Sequence, residues 1–396
     1  MLDLINLNPA AEVALLGAAL AMLPTTWVMW RGRMRGMQGW GAWQRVLTVA
    51  TLFLTLDLVV FGAFTRLTDS GLGCPDWPGC YGHSSPFRAR ADILVAQTAL
   101  PDGPVTYGKA WIEMLHRYLA TAAGAFITGL MLLAWRMRNR GGLSPWWATA
   151  TFFWVCAQGA FGALTVTLKL QPIVVTGHLL GAVLGVAMLS AQVRQLTPQG
   201  PSDAAWAASR LRRIGMVVLA LVVLQVASGA WVSTNYAVLA CTAFPTCQEQ
   251  WWPDTDFTAA FRLMRPLGGD GEGGYLSLAG LTAIHLVHRC LAMAVALVLA
   301  GYAWHLHRWQ VADSLPWRGE ARVLAGLLVW QLASGLSNVV LGWPLAAALA
   351  HTLGAALLVA WFVRLLVLPA ASQALSGNAT HAHEGHHGRS VRLSES

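Results

Sequence analysis

Charge is what this sequence has least of: Asp, Glu, Lys and Arg make up 11% of its 396 residues, against 56% hydrophobic. An average soluble domain carries about 25% charged residues, so water is not this chain's main solvent. No polar stretch is long enough for a separate soluble domain either. Apolar runs of about 20 residues, the length that crosses roughly 30 Å of hydrocarbon, recur from end to end. A continuous basic stripe is also missing. The formal balance of +8 sits in short clusters between apolar runs, which argues against a nucleic-acid partner and leaves a topology signal. The start of the chain lacks the basic n-region of a cleaved signal peptide. Asp3 and Glu12 come early and the positive flank follows, so the first run reads as a retained helix.

What is present is a series of nine candidate spans, at about 10–30, 45–66, 109–135, 144–167, 173–195, 214–234, 276–304, 321–341 and 344–366. Basic residues cluster after the first (Arg31, Arg33, Arg35), third (Arg136, Arg138, Arg140), fifth (Arg194, Arg210, Arg212, Arg213) and seventh (Arg308, Arg318, Arg322). Every second loop is positive and hence cytoplasmic. The long loops 67–108 and 235–275, with Asp69, Asp76, Asp92, Asp254, Asp256 and Asp270, then face the other side. In a bacterial inner membrane this puts the N-terminus in the periplasm and the C-terminus in the cytoplasm.

The chain repeats itself. GAFTRLTDSGLGCPDWPGC at 62–80 aligns with GAWVSTNYAVLACTAFPTC at 229–247, an offset of 167. LHRYLA at 115–120 answers VHRCLA at 287–292, an offset of 172. QGAFGALTV from Gln158 answers QLASGLSNV from Gln331, and GHLLGA at 177–182 answers AHTLGA at 350–355, both at 173. Order is kept and the drift is absorbed by insertions in the outer loops, so spans two to five and six to nine are parallel copies of a four-helix unit. The predicted fold is an all-α polytopic membrane protein of two pseudo-symmetric four-helix transmembrane bundles plus an additional N-terminal transmembrane helix. Its divisions are 1–44 (additional helix and loop), 45–200 (first bundle), 201–368 (second bundle) and 369–396, a His-rich tail. The tail, with HAHEGHHGRS at 381–390, reads as a solvated cytoplasmic segment rather than a metal site.

The repeat brings one histidine to each even helix of each copy: His116 and His178, then His288 and His351. They lie about seven to twelve residues from the outer helix ends, roughly 10–18 Å deep. An imidazole in lipid is costly and marks function by default, although a single one is as readily a satisfied interhelical hydrogen bond. Four in two equivalent pairs favour haem iron, held axially from two facing helices. Zinc fits poorly, because neither bundle adds a third Cys or His at ligand spacing. Gly124, Gly177, Gly181 and Gly354 lie beside the histidines and would make room for a flat macrocycle, or serve ordinary helix packing.

The copies differ one turn away. Glu113 precedes His116 by three residues and shares its helix face, while His285 stands at the same place before His288. Glu113 is either an acid–base group beside a substrate or the partner of Arg117 or Arg66. The first reading puts catalysis in the first copy and electron storage in the second. Arg66, Arg117 and Arg289, near outer span ends, could meet haem propionates or simply snorkel. Cys74 with Cys80 and Cys241 with Cys247, each six apart in an outer loop, are disulfide candidates with either a structural or a redox role. Cys156 and Cys290 read as small apolar filler within spans.

At these residues the chain resembles the haem A synthase family. FTRLTDSGLGCPDWPGC is similar to that family's outer-loop signature, and EMLHR to its Glu-x-x-His-Arg motif. The likeness runs from about 45 to 366, leaving out the first span and the tail. It implies an eight-helix pair of bundles that oxidises the C8 methyl of haem O to a formyl group, by successive hydroxylations, giving haem A for terminal oxidases. His288 and His351 would then ligate a resident haem b, His116 and His178 would flank haem O, and Glu113 would be the essential acid. The first-copy cysteines would serve catalysis or electron delivery. Implied partners are haem O, the lipid bilayer, a haem O synthase, an electron donor and a second copy in a homo-oligomer. The second copy departs from the first at Val232 and Ser233, where the first has Thr65 and Arg66. Rival functions are a di-haem b membrane electron carrier without haem modification, for which Glu113 opposite His285 is an awkward asymmetry, and a quinone-linked thiol oxidoreductase, which leaves the histidines unexplained. A transporter would need interrupted helices in matching places, and the repeat shows none.

Overall fold

A computed structural model describes residues 5–34, 39–101, 103–139, 142–198, 203–265, 276–309 and 315–369. Arg35, Arg140, Asp270, Tyr275 and the His-rich segment 381–390 lie outside these residues. The described chain is helical almost throughout: α1 (Ala10–Met34), α2 (Trp40–Leu67), α3 (Arg90–Ala99), α4 (Tyr107–Arg136), α5 (Pro145–Thr167), α6 (Pro172–Gln195), α7 (Asp203–Ala208), α8 (Arg210–Thr234), α9 (Phe257–Ala260), α10 (Leu278–Arg308), α11 (Leu315–Val340) and α12 (Leu345–Leu366). Two short strands, β1 (Ile5–Asn6) and β2 (Trp77–Pro78), pair in parallel.

Among the described residues, eight helices are long and apolar enough to cross a membrane: α2, α4, α5, α6, α8, α10, α12 and the Trp317–Val340 part of α11. They correspond to the second through ninth expected spans, and the protein is a multi-pass membrane protein. In hydrocarbon every backbone donor must be satisfied within its own segment, which is why the apolar runs become helices. Their starts are set locally. Thr106, Ser209 and Ser277 accept from the third amide of α4, α8 and α10, a cap worth about 1 kcal/mol. Pro145 and Pro172 stand in the first turn of α5 and α6, where a missing N–H costs nothing.

In the first copy, α2 packs on α4, α4 on α5, α5 on α6 and α6 back on α2. In the second, α8, α10, α11 and α12 close the same ring. The two rings meet through α2 and α6 against α8 and α12. The seam is built from Leu56, Val59, Val186, Ala356 and Ala360. Polar ties cross it: Ser190 Oγ donates to the Ala360 carbonyl at 2.6 Å and Thr176 Oγ1 lies 3.0 Å from Thr234 Oγ1.

The ends of the bundles away from the aspartate-bearing loops differ in polarity. In the second copy, Val218, Val222, Leu324, Phe362 and Leu365 form part of the main apolar core, closed by Trp206, Trp309 and Trp317. At the repeat-equivalent places the first copy has buried Thr51, Thr55, Thr151 and Gln192. These hydroxyls are satisfied nearby: Thr55 donates to the Thr51 carbonyl and Thr151 to that of Trp147, while Gln192 Nε2 reaches Thr151 Oγ1 at 2.5 Å.

The first expected span, α1, forms a 25-residue helix. Among the described residues its apolar stretch is Ala10–Met22, short of a full crossing. It packs on α4, the helix that carries His116, with Ala21 against Ala122 and Phe126. Gly17 permits the approach: a Cβ there would stand 2.5 Å from Thr121 Cβ. Glu12 accepts from Ser84 Oγ at 2.5 Å and Arg88 at 2.7 Å. With β1 on β2, these ties put the N-terminal segment on the same side as the loop holding Cys74 and Cys80. Gly17→Leu is therefore expected to lift α1 from α4. Cysteines placed at Ala21 and Ala122 should cross-link in the parent sequence and lose most of that yield in the variant; an equal yield would mean that other contacts dock α1.

Candidate functional site

His116 lies on α4, His178 on α6, His288 on α10 and His351 on α12. His116 and His178 stand on diagonally opposed helices of the first ring, as His288 and His351 do in the second. Each imidazole packs against a glycine of a neighbouring helix, the first or third of its own copy. A Cβ at Gly62 would come within 3.0 Å of the His116 ring and one at Gly229 within 3.0 Å of His288. The corresponding approaches are 3.7 Å for Gly162 to His178 and 3.1 Å for Gly335 to His351. The four glycines obey the repeat, Gly62 with Gly229 and Gly162 with Gly335, so each copy contains the same cradle.

These are not the glycines expected from sequence. Gly124 has open space beside it, Gly177 faces Phe161, Gly181 faces Gln158, and Gly354 faces Trp330 and Gln331. The error came from choosing glycines next to the histidines in sequence. A buried ring needs room on the helix it faces, and the signal lay in the repeat alignment, which pairs Gly62 with Gly229 and Gly162 with Gly335.

Around the rings the copies part. His288 Nδ1 is 2.8 Å from Ser228 Oγ, and His351 Nδ1 is 3.0 Å from Ser334 Oγ. The Gln225 amide packs on the His288 ring, 3.1 Å from Nδ1 and 3.4 Å from Nε2, and donates to the His288 carbonyl at 3.3 Å. In the first copy the places of Ser228, Ser334 and Gln225 are taken by Phe61, Phe161 and Leu58. Phe61 stacks on His116 with centroids 6.2 Å apart. His116 Nδ1 and His178 Nδ1 are buried with no hydrogen-bond partner among the described residues.

Glu113 is 4% exposed and ties α4 to the outer loop. Its Oε2 accepts from the Cys74 amide at 2.7 Å and its Oε1 from Arg117. Arg117 also donates to the Asp76 carbonyl at 2.8 Å and to the Gly79 carbonyl. Of the two partners foreseen for Glu113, Arg117 and Arg66, the structure selects Arg117, and it adds a link to the cysteine loop. In the second copy Arg289 donates to the carbonyls of Cys241, Ala243 and Thr246 at 2.8–3.1 Å and to His285 Nε2 at 3.2 Å. Both arginines thus clamp an outer loop, and only the acid is exchanged for an imidazole. Arg66 bridges the copies, donating to the Ser233 carbonyl at 2.7 Å with its guanidinium 3.7 Å above the Tyr236 ring.

The sulfur atoms of Cys74 and Cys80, and of Cys241 and Cys247, are at bonding distance, 2.05 and 1.94 Å. In the first loop Asp76 accepts from the amides of Tyr81 and Gly82 at 2.6 and 2.7 Å. Burial, and then the Asp76 carboxylate, push the Tyr81 phenol above its ordinary range. Cys156 and Cys290 are free thiols, exposed on membrane-length helices, α5 and α10.

The histidine pairs would suit a planar group that carries iron. Each offers neutral nitrogen donors from two facing helices, beside glycines, within an apolar wall. The unpartnered ring nitrogens of His116 and His178 are what a site made for an added ligand leaves behind. Among the described residues no three His, Cys, Asp or Glu side chains form a metal-ion cluster. Arg117→Ala would strand Glu113 without its counter-charge and release two loop carbonyls. Under mild reductant, Cys74 and Cys80 are then expected to become alkylated about tenfold faster than in the parent, with Cys241 and Cys247 unchanged as an internal reference. Mass spectrometry of the alkylated peptides measures this, and an unchanged rate would show the loop held by other contacts.

Residues 45–363, which span both bundles, all four histidines and both cysteine pairs, match the family described as cytochrome oxidase assembly protein. The chain is 36% identical over 315 residues to the heme A synthase of Shewanella oneidensis, covering 80% of this chain and 93% of that protein. It is 28% identical over 333 residues to the heme A synthase of Rhizorhabdus wittichii, covering 78% and 88%. It is also 28% identical over 370 residues to the protoheme IX farnesyltransferase of Thermus thermophilus, covering 88% of this chain but 52% of that protein. Taken with eight membrane helices and a paired-histidine core in each bundle, these matches place the chain in the cytochrome oxidase assembly protein family, as a haem A synthase.

Proposed function

We propose that the two bundles divide the work: 45–200 binds haem O between His116 and His178 and oxidises its C8 methyl, while 201–368 keeps a resident haem b between His288 and His351. One observation carries the division. At matched places, one turn outward from the first histidine of each copy, the loop-clamping arginine is partnered by Glu113 in the first bundle and by His285 in the second. Among the described residues, the carboxylate one turn from a bundle histidine is Glu113, in the first bundle. A symmetric di-haem carrier asks for like surroundings in both bundles and leaves this difference without purpose.

The residues act as follows. His116 and His178 hold the substrate's iron and so fix which edge of the macrocycle meets α4. Glu113, oriented by Arg117 and the Cys74 amide, is placed to accept one of the two protons that the substrate carbon gives up, with two electrons passing to an external acceptor, each time water-level oxygen is added to it. A haem bound in the second bundle supplies one-electron redox chemistry. Arg66 is the first candidate to meet propionate carboxylates, because Arg117 and Arg289 already give most of their donors to their loops. We infer that Cys74–Cys80 and Cys241–Cys247 are disulfides. The first, joined to Glu113 through the Cys74 amide, is the one placed to affect turnover.

The Arg-rich loops support a reading in which the protein lies in a bacterial inner membrane with the cysteine loops and the N-terminus periplasmic and the C-terminus cytoplasmic. In this reading α1 is a ninth crossing and 370–396 a cytoplasmic tail. A haem O synthase is the expected supplier of substrate. Half of the Thermus thermophilus farnesyltransferase matches this chain, which supports association between the two activities. An electron donor and a second copy of the chain complete the expected partners.

Glu113→Ala should retain bound haem and lose haem A, and Glu113→Gln, which keeps an acceptor for the Cys74 amide, should lose product with the loop intact. His288→Ala or His351→Ala should strip the resident bis-histidine spectrum. Haem A yield unchanged in both Glu113 variants would remove its role as the acid, and an unaltered spectrum in either histidine variant would remove that ligand assignment.

A further inference from the structure

The hydroxyls beside the second-bundle imidazoles are oriented, and their orientation fixes the rings. Ser228 Oγ donates its hydrogen to the Gln225 carbonyl at 2.8 Å and lies 2.8 Å from His288 Nδ1, which the Gln225 amide also approaches at 3.1 Å. Ser334 Oγ donates to the Trp330 carbonyl at 2.7 Å, so its oxygen is left to accept from His351 Nδ1–H. The hydroxyl bond at Nδ1 restrains each ring, which cannot turn without breaking it, and at His351 it leaves the lone pair on Nε2. Partners of this kind fix the tautomer and aim of a metal-binding histidine and typically govern its affinity 10–100-fold.

The first bundle has the opposite arrangement at the same places. Phe61 and Phe161 stand where the repeat has Ser228 and Ser334, and the Nδ1 atoms of His116 and His178 are without a partner among the described residues. A phenyl ring offers no acceptor, so both tautomers and other ring rotations stay open.

We propose that Ser228 and Ser334 are the positioning residues that make the second bundle a haem-retaining site, and that Phe61 and Phe161 leave the first bundle's imidazoles untethered so that the haem bound there exchanges. This rests on the reading of the histidine pairs as haem sites and extends it to the lifetime of each haem. A resident cofactor is kept by an imidazole whose ring is restrained. A substrate that must leave as product is served by ligands that hold it less firmly.

The test uses purified full-length protein in detergent, with haem content measured per chain and haem loss followed by transfer to apomyoglobin. The double variant Ser228→Ala with Ser334→Ala should lose its retained haem about 10–100-fold faster than the parent, and Ser228→Thr with Ser334→Thr, which keeps both hydroxyls, should restore the slow rate. Phe61→Ser with Phe161→Ser should raise retained haem from about one toward about two per chain. An unchanged loss rate in the alanine pair overturns the serine tether, and a haem content that stays at the parent value in the serine-gain pair overturns the part given to Phe61 and Phe161. Single His288→Ala and His116→Ala variants separate this from the underlying reading. If His116→Ala removes the retained haem and His288→Ala does not, the assignment of bundles has failed. If His288→Ala removes it while the alanine pair leaves the rate unchanged, only the tether has.

Discussion

An imidazole that has left water for a membrane must bring its polar nitrogens to a partner and must find room for its ring. Four times in this protein the ring is seated against a glycine of a neighbouring helix, Gly62, Gly162, Gly229 or Gly335. That contact fixes which faces of α2, α5, α8 and α11 look inward, and so sets the rotation of half the helices in the two rings. The close approach would be lost with almost any side chain at these positions. Helix packing and ligand placement are therefore one constraint here, met the same way in both copies.

What the chain varies is the polar surrounding of that shared scaffold. One turn outward, Glu113 in one copy and His285 in the other complete the same arginine-to-loop clamp. Beside the rings, hydroxyls in the second copy give way to phenyl rings in the first. Deeper in the bundle, hydroxyl and amide side chains in the first copy face the register of an aliphatic core in the second. A duplicated four-helix unit has kept its backbone and its paired histidines while each copy took on its own polar surroundings. Such asymmetry is expected when one site keeps a cofactor and the other turns over a substrate of nearly the same shape.

The fold was largely legible because lipid leaves few choices: eight apolar runs had to become helices, and the repeat told which belonged together. The histidines were legible for the same reason, since little else polar recurs inside the spans. Three features were not. The glycines that seat the rings act between helices, and reading along a helix points to Gly177 and Gly181 instead. Ser228 and Ser334 look like ordinary small residues until the fold brings them to Nδ1. Arg117 and Arg289, near span ends, suggest propionate partners, yet most of their donors are used on loop carbonyls that only the folded outer loops present.

The central claim is that this chain converts haem O, and the most direct test is to extract the non-covalent haems from membranes of cells that make haem O, with and without the chain, and identify them by chromatography and mass spectrometry. The account predicts that haem A, or its hydroxylated precursor, is found only when the chain is present. Recovery of haem B and unaltered haem O alone, from a well-expressed protein in a host with a working electron supply, would contradict it.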